Sequence, residues 1–293
     1  MEPRRGTVSS DGVTLSYLDW GGVGPPLLLI HATGFLGALW RPIADRLADR
    51  FRIVAVDQRG HGESGRPEDG YRFETFAADL QALIDHLGLE DGVVACGHSS
   101  GGTTIVYHAA AHPGIIRRAV LIEPILPRQE WYANPPPGGR NAFSLAEGAR
   151  KRRAVWSSRA EALNAYRGRD MFRLWSEDVL RLYTDEGLRE RDDGQVELKC
   201  TPEIEARFFE AVQGIDPWPL LPRLACPTLM LWGADSHLAM RGPAGAGPEQ
   251  AYARLVERAL PNARTVVVPE ATHFLPQERP NEVARAIEEF LAD

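Results

Sequence analysis

Short runs of apolar, strand-forming residues recur along the chain, at Leu27–Ile30, Phe51–Val56, Gly92–Cys96, Arg118–Ile122, Thr228–Trp232 and Thr265–Val268. Several are continuous rather than alternating, the pattern of strands covered on both faces. Val13–Trp20 differs, alternating apolar with polar residues as a half-exposed edge strand would. Helical patterns at Ile43–Asp49, Phe73–Leu87, Gly101–Ala111 and Glu282–Leu291 separate most of the runs. Strands alternating with helices require crossover connections, so the expected fold is α/β, a mostly parallel central sheet flanked by helices. Ligands of such sheets bind beyond the carboxyl ends of the strands, which directs attention to the residues immediately following each run.

The rhythm breaks once. Between Ile122 and Thr228 no segment reads as a convincing strand, and helix-like patterns occupy Ser144–Val155, Arg159–Tyr166, Glu177–Asp185 and Pro202–Gln213. The loop Pro135–Gly139 marks the entry and Pro217–Pro227 the exit. This stretch reads as a helical cap inserted across the strand ends: residues 1–123 and 226–293 are expected to form the core, and 124–225 the cap. Close to half of the chain's aromatic residues lie here. Most are needed for the insertion's own core, while a few are expected to form an apolar substrate pocket, with Trp131, Trp156 and Trp175 as candidates. The basic run Arg150–Arg153 reads as a solvated helix face.

Composition narrows the partners. A net charge of −7 offers no electrostatic footprint for nucleic acid. No apolar run is long enough to span a bilayer, and residues 1–15 lack the apolar core of a signal peptide, so a cytoplasmic protein without a membrane partner is expected. Cys96, Cys200 and Cys226 are odd in number and widely spaced, which favours small buried hydrophobes over disulfides or metal ligands. His31, His237 and His273 match no metal-ligand spacing, and neither metal nor cofactor is expected.

Gly97-His98-Ser99-Ser100-Gly101 lies between the run Gly92–Cys96 and the helical pattern beginning at Gly101. This is the G-x-S-x-G turn in the strand–turn–helix setting that the motif requires. A tight turn there strains the serine backbone, and glycines on either side leave room for neighbouring chain. The serine hydroxyl is held at a helix N-terminus, whose dipole favours developing negative charge. Ser99 is thus the candidate nucleophile.

Three further segments stand in order around this turn: His31-Ala32-Thr33-Gly34-Phe35 with Trp40, then Asp57-Gln58-Arg59-Gly60-His61-Gly62-Glu63-Ser64, then Ala271-Thr272-His273-Phe274-Leu275 followed by Glu278-Arg279-Pro280. Together with the turn they resemble the α/β-hydrolase fold family, from about Val13 to Leu291. His273, after the last strand run, occupies the position of the general base that a serine nucleophile needs. The resemblance also implies an oxyanion hole from the backbone N–H of Ser100 and that of Thr33, with Ala32 standing where the family usually has glycine. Asp57 and Arg59 are expected to support the turn between Val56 and Ser64.

The acid departs from the family pattern. An aspartate is usual three or four residues after the glycine that ends the strand following the cap, but Gly233 is followed there by Ser236 and His237, with Asp235 out of register. Glu123 offers another solution. It directly follows the apolar run ending at Ile122 and precedes Pro124, and a carboxylate in that setting is costly unless paired or functional. Zearalenone lactonases and some other members carry their acid at this earlier strand. Glu123 is therefore the preferred acid and Asp235 the alternative, either preserving the order serine, acid, histidine. The resemblance implies a cofactor-independent hydrolase of carboxylic esters or lactones acting on an apolar or aromatic small molecule. Amide or C–C hydrolysis uses the same machinery, and some relatives are ligand-sensing receptors with slow turnover.

Overall fold

The structure is a computed structural model describing residues 2–127, 142–236 and 252–292. Trp131, His237 and the loop Pro135–Gly139 lie outside the described residues. Strands β1 (Arg4–Ser10) and β2 (Val13–Gly21) form an antiparallel hairpin. Its turn residues Asp11 and Gly12 both have positive φ, 47° and 73°, the backbone that suits the twist of two paired strands. Apolar patterning passes over β1, whose residues are largely exposed, although the Asp-Gly pair signals the hairpin.

The chain continues through β3 (Pro26–Ile30), α1 (Arg41–Leu47), β4 (Arg52–Val56), α2 (Phe73–His86), β5 (Val93–His98), α3 (Ser100–Ala111) and β6 (Ile116–Ile122). After an insertion it returns as β10 (Thr228–Gly233), α8 (Tyr252–Ala259), β11 (Ala263–Val268), α9 (Leu275–Glu278) and α10 (Pro280–Ala292). These strands make one eight-stranded sheet in the order β1-β2-β4-β3-β5-β6-β10-β11. It is parallel from β4 to β11, and β2 joins β4 antiparallel. The order reverses at β3, with β4 on one side and β5 on the other, so a crevice opens beyond their carboxyl ends.

The continuous apolar runs are explained by two-sided burial. Leu27 and Leu29 point into one core layer, and Leu28 and Ile30 into the other. Val120 and Ile122 likewise oppose Ala119 and Leu121, the two-residue period of a strand with both faces covered.

Within the insertion lie α4 (Ala142–Arg150), β7 (Val155–Trp156), α5 (Arg159–Arg167), α6 (Glu177–Gly187), β8 (Leu188–Glu190), β9 (Val196–Leu198) and α7 (Pro202–Val212). Helices α5, α6 and α7 begin at Ser158, Ser176 and Thr201, each accepting the N–H three residues on. Among these helices the insertion also holds strands that its sequence does not reveal: β7, β9 and β8 form a small antiparallel sheet, too short to announce itself by alternation. Trp156, Tyr166, Phe172, Trp175 and Tyr183 join the same apolar cluster as Phe35, Trp40 and one face of the main sheet. Among the described residues no helix is long and apolar enough to cross a membrane.

Candidate active site

Ser99 sits between β5 and α3 at φ 55° and ψ −116°, a strained conformation for a residue with a side chain. Neighbouring backbone explains why both flanking glycines are needed. A Cβ on Gly97 would lie 2.4 Å from the Gly101 carbonyl group, and one on Gly101 would lie 2.3 Å from the carbonyl oxygen of Ile30. The strain is held by pairing: the Ser99 N–H donates to the Ile122 carbonyl at 2.8 Å, tying the turn to the end of β6.

The next residue of that strand end is Glu123, fully buried and also at positive φ, 48°. Its Oε1 accepts the Gly233 N–H at 2.7 Å, and its Oε2 accepts the Ser236 hydroxyl at 2.6 Å. The same Oε2 lies 3.3 Å from Nδ1 of His273, whose Nε2 lies 3.1 Å from Oγ of Ser99. With the imidazole proton on Nδ1, both contacts are satisfied: Nδ1–H donates to the carboxylate and Nε2 accepts the serine hydroxyl. The structure thus brings Ser99, His273 and Glu123 into one array. Asp235 is exposed, and the His273 ring makes no hydrogen bond with it.

The loop bearing His273 is held at two points. His98 Nε2 donates to the His273 carbonyl at 2.7 Å, and Glu278 receives both the backbone N–H and the hydroxyl of Thr272, each at 2.6 Å. Nothing in the local sequence announces the partner of His98, which lies 175 positions away.

Beyond β3, the loop from His31 to Phe35 is fixed by buried imidazoles. His31 donates from Nδ1 to the Ala32 carbonyl at 2.7 Å and accepts the Gln58 N–H on Nε2 at 3.0 Å. His61 accepts the Gly34 N–H at 3.0 Å, a contact that the sequence alone did not suggest. Both are needed neutral, and burial drives the His31 pKa down to about 4 and that of His61 well below the usual 6.5. The Gly34 carbonyl in turn accepts the Tyr183 hydroxyl at 3.2 Å. Asp57 accepts the N–H groups of Gly37 and Glu63 at 2.7 and 3.0 Å, and burial raises its carboxyl pKa. Arg59 pairs in two-pronged fashion with Asp79, both contacts at 2.7 Å. The backbone N–H groups of Thr33 and Ser100 have no hydrogen-bond partner among the described residues. That of Ser100 opens α3, where the first amides have no intrahelical acceptor.

Aromatic rings wall this region. Phe35 lies 5.5 Å from Trp175, 5.8 Å from Phe274 and 6.2 Å from His98, measured between ring centroids. Of the insertion's described tryptophans, Trp175 packs against Phe35, beside the array. Trp156 is buried against Tyr166, 5.6 Å away, in the interior of the insertion. One residue of the basic run is corrected: Arg152 turns inward, paired with Glu205 and donating to the Tyr183 hydroxyl at 3.3 Å.

A family model described as alpha/beta hydrolase fold matches residues 25–280. The chain is 30% identical over 274 residues to 2-(acetamidomethylene)succinate hydrolase of Mesorhizobium japonicum, covering 92% of this chain and 89% of the relative. A bifunctional esterase/perhydrolase of Acinetobacter calcoaceticus is 35% identical over 133 residues, 44% of this chain and 48% of that protein. The crystal structure of E-2-(acetamidomethylene)succinate hydrolase superposes with a TM-score of 0.82 at 26% identity, covering 99% of this chain and all of that one.

Proposed function

The chain belongs to the α/β-hydrolase-fold family, and on that premise we propose that it is a serine hydrolase cleaving a carboxylic ester or lactone through an acyl-enzyme. The reading is carried by the contacts of His273, 3.1 Å to Ser99 and 3.3 Å to Glu123. In it, Ser99 Oγ attacks the substrate carbonyl carbon while His273 Nε2 takes the hydroxyl proton. The N–H groups of Thr33 and Ser100 receive the developing oxyanion, a contribution on the order of 10²- to 10³-fold per donor in rate. The imidazolium, steadied by Glu123, returns the proton to the leaving oxygen as the C–O bond breaks. Water then attacks the acyl-enzyme with His273 as base, releasing the acid and restoring Ser99. Residues 124–225 act as a cap over this site, and Trp175 contributes to an apolar pocket wall. Asp235 has no part in the array.

The full-length likeness to an enzyme named for a substrate carrying an acetamido group favours a second reading, in which the scissile bond is an amide C–N bond. The chemistry differs only in the leaving atom that His273 protonates.

The test is turnover of 4-nitrophenyl esters, aryl lactones and N-acyl enamines by wild type, Ser99→Ala, Glu123→Ala and Asp235→Ala. The proposal expects sustained turnover, lost by on the order of 10⁴-fold or more in Ser99→Ala, strongly reduced in Glu123→Ala and kept in Asp235→Ala. A dead Asp235→Ala with an active Glu123→Ala overturns the acid assignment. A single burst followed by silence on every substrate favours a ligand sensor over an enzyme. The relative kcat/KM values for the ester and amide members decide between the two bond types.

A further inference from the structure

Ser236 stands at one of the two positions where the family pattern would place an aspartate, and its hydroxyl is aimed at the Glu123 carboxylate. Ser236 is 2% exposed, and its Oγ–H donates at 2.6 Å to Oε2 of Glu123, the same oxygen that faces His273 Nδ1 at 3.3 Å. The other carboxylate oxygen is pinned by the Gly233 N–H at 2.7 Å. Two fixed donors on two different oxygens leave the carboxylate one orientation in its plane. The remaining capacity of Oε2 then points at the imidazole.

We infer that Ser236 is a positioning residue for the Glu123–His273 pair, acting through the Glu123 carboxylate and touching no substrate. The inference rests on the proposed role of Glu123. The hydroxyl holds the carboxylate rotamer, which maintains the imidazole in its Nδ1–H tautomer.

The experiment compares wild type, Ser236→Ala and Ser236→Thr for ester hydrolysis across pH. Ser236→Ala is expected to lower kcat about tenfold with KM nearly unchanged. It is also expected to displace the acid limb of the kcat/KM profile, because the imidazole then faces a carboxylate that is no longer held in one orientation. Ser236→Thr, which keeps the hydroxyl, restores both. A merely structural serine would change stability and leave the acid limb in place, so a wild-type acid limb and kcat in folded Ser236→Ala overturn the inference. A second measurement needs neither the threonine variant nor a substrate. The downfield Nδ1–H proton resonance of His273, identified by its loss in His273→Ala, is expected to shift in Ser236→Ala, and an unmoved resonance overturns the inference. Failure of the underlying reading is distinct: Glu123→Gln with wild-type turnover removes the carboxylate from the mechanism. Loss of activity in Glu123→Gln beside an unaffected Ser236→Ala removes Ser236 alone.

Discussion

The imidazole of His98 donates from Nε2 to the backbone carbonyl of His273 at 2.7 Å, so the residue before the proposed nucleophile holds the main chain of the proposed base. His98 is fully buried, and burial with the nearby His273 lowers its pKa well below the usual 6.5, leaving it a neutral donor. His98→Phe keeps a ring of similar shape and removes the donor. It is expected to lower kcat about tenfold and to destabilise by ~1–3 kcal/mol, because the His273 carbonyl loses this partner. His98→Gln, which retains an N–H donor, should recover part of both losses in steady-state kinetics and urea unfolding.

Tyr183 reaches from the insertion to the Gly34 carbonyl at 3.2 Å while accepting from Arg152 at 3.3 Å. It therefore couples α6 to the loop that carries the Thr33 N–H. Tyr183→Phe should reduce kcat several-fold through a less defined oxyanion loop, and should cost about 1 kcal/mol of stability. Chemical denaturation and kcat measured on the same preparation check this, and an unchanged kcat would show that His31 and His61 hold the loop without Tyr183.

Buried neutral histidines set an acid limit on stability. His31 and His108 are driven by burial to pKa values of about 4, below the ordinary 6.5. Between those values the unfolded chain binds protons that the folded chain does not. Stability is thus full above about pH 6.5 and falls as pH drops towards 4, by ~1.4 kcal/mol per pH unit for each such group. Unfolding free energies at pH 7.5 and 5 measure the slope. His108 contacts Gln81 rather than the site, so His108→Gln should flatten the slope without altering turnover at pH 7.5.

Two glycine-to-alanine changes should move stability in opposite directions. In Gly101→Ala the new methyl would meet the Ile30 carbonyl oxygen at 2.3 Å, so the variant should lose ~1–3 kcal/mol or more and displace the Ser99 turn. Gly148 lies exposed in α4 with nothing within 4 Å of the added methyl. Gly148→Ala should gain ~0.5–1 kcal/mol with unchanged kinetics. Thermal unfolding of the two variants provides the check.

Much of the architecture was legible because it is written in local patterns. Continuous apolar runs specify strands buried on both faces, and Gly97 is imposed by the backbone of its own turn, whereas Gly101 is imposed by the distant Ile30 carbonyl. Motif and chain order pointed to Ser99 and His273, and a carboxylate after an apolar strand made Glu123 the preferred acid, with Asp235 as the alternative. The short strands β7, β8 and β9 escaped notice, since two or three residues cannot establish a period. Arg152 escaped because a basic run looks solvated until a facing helix supplies Glu205.

Sequence by itself determined which residues could do chemistry here and at which strand ends they would stand, because residue type and hydrophobic period are local properties. It left Glu123 and Asp235 as alternatives, one residue position deciding nothing about which carboxylate faces an imidazole far along the chain. Only the tertiary structure shows Glu123 facing the imidazole. The parallel pairing of β6 with β10 brings the Gly233 N–H and the Ser236 hydroxyl onto Glu123, and the return of the chain past β11 sets His273 against the same oxygen. A hydrogen bond is fixed by distances of a few tenths of an ångström, and such distances between remote residues come into being only when the sheet closes its register.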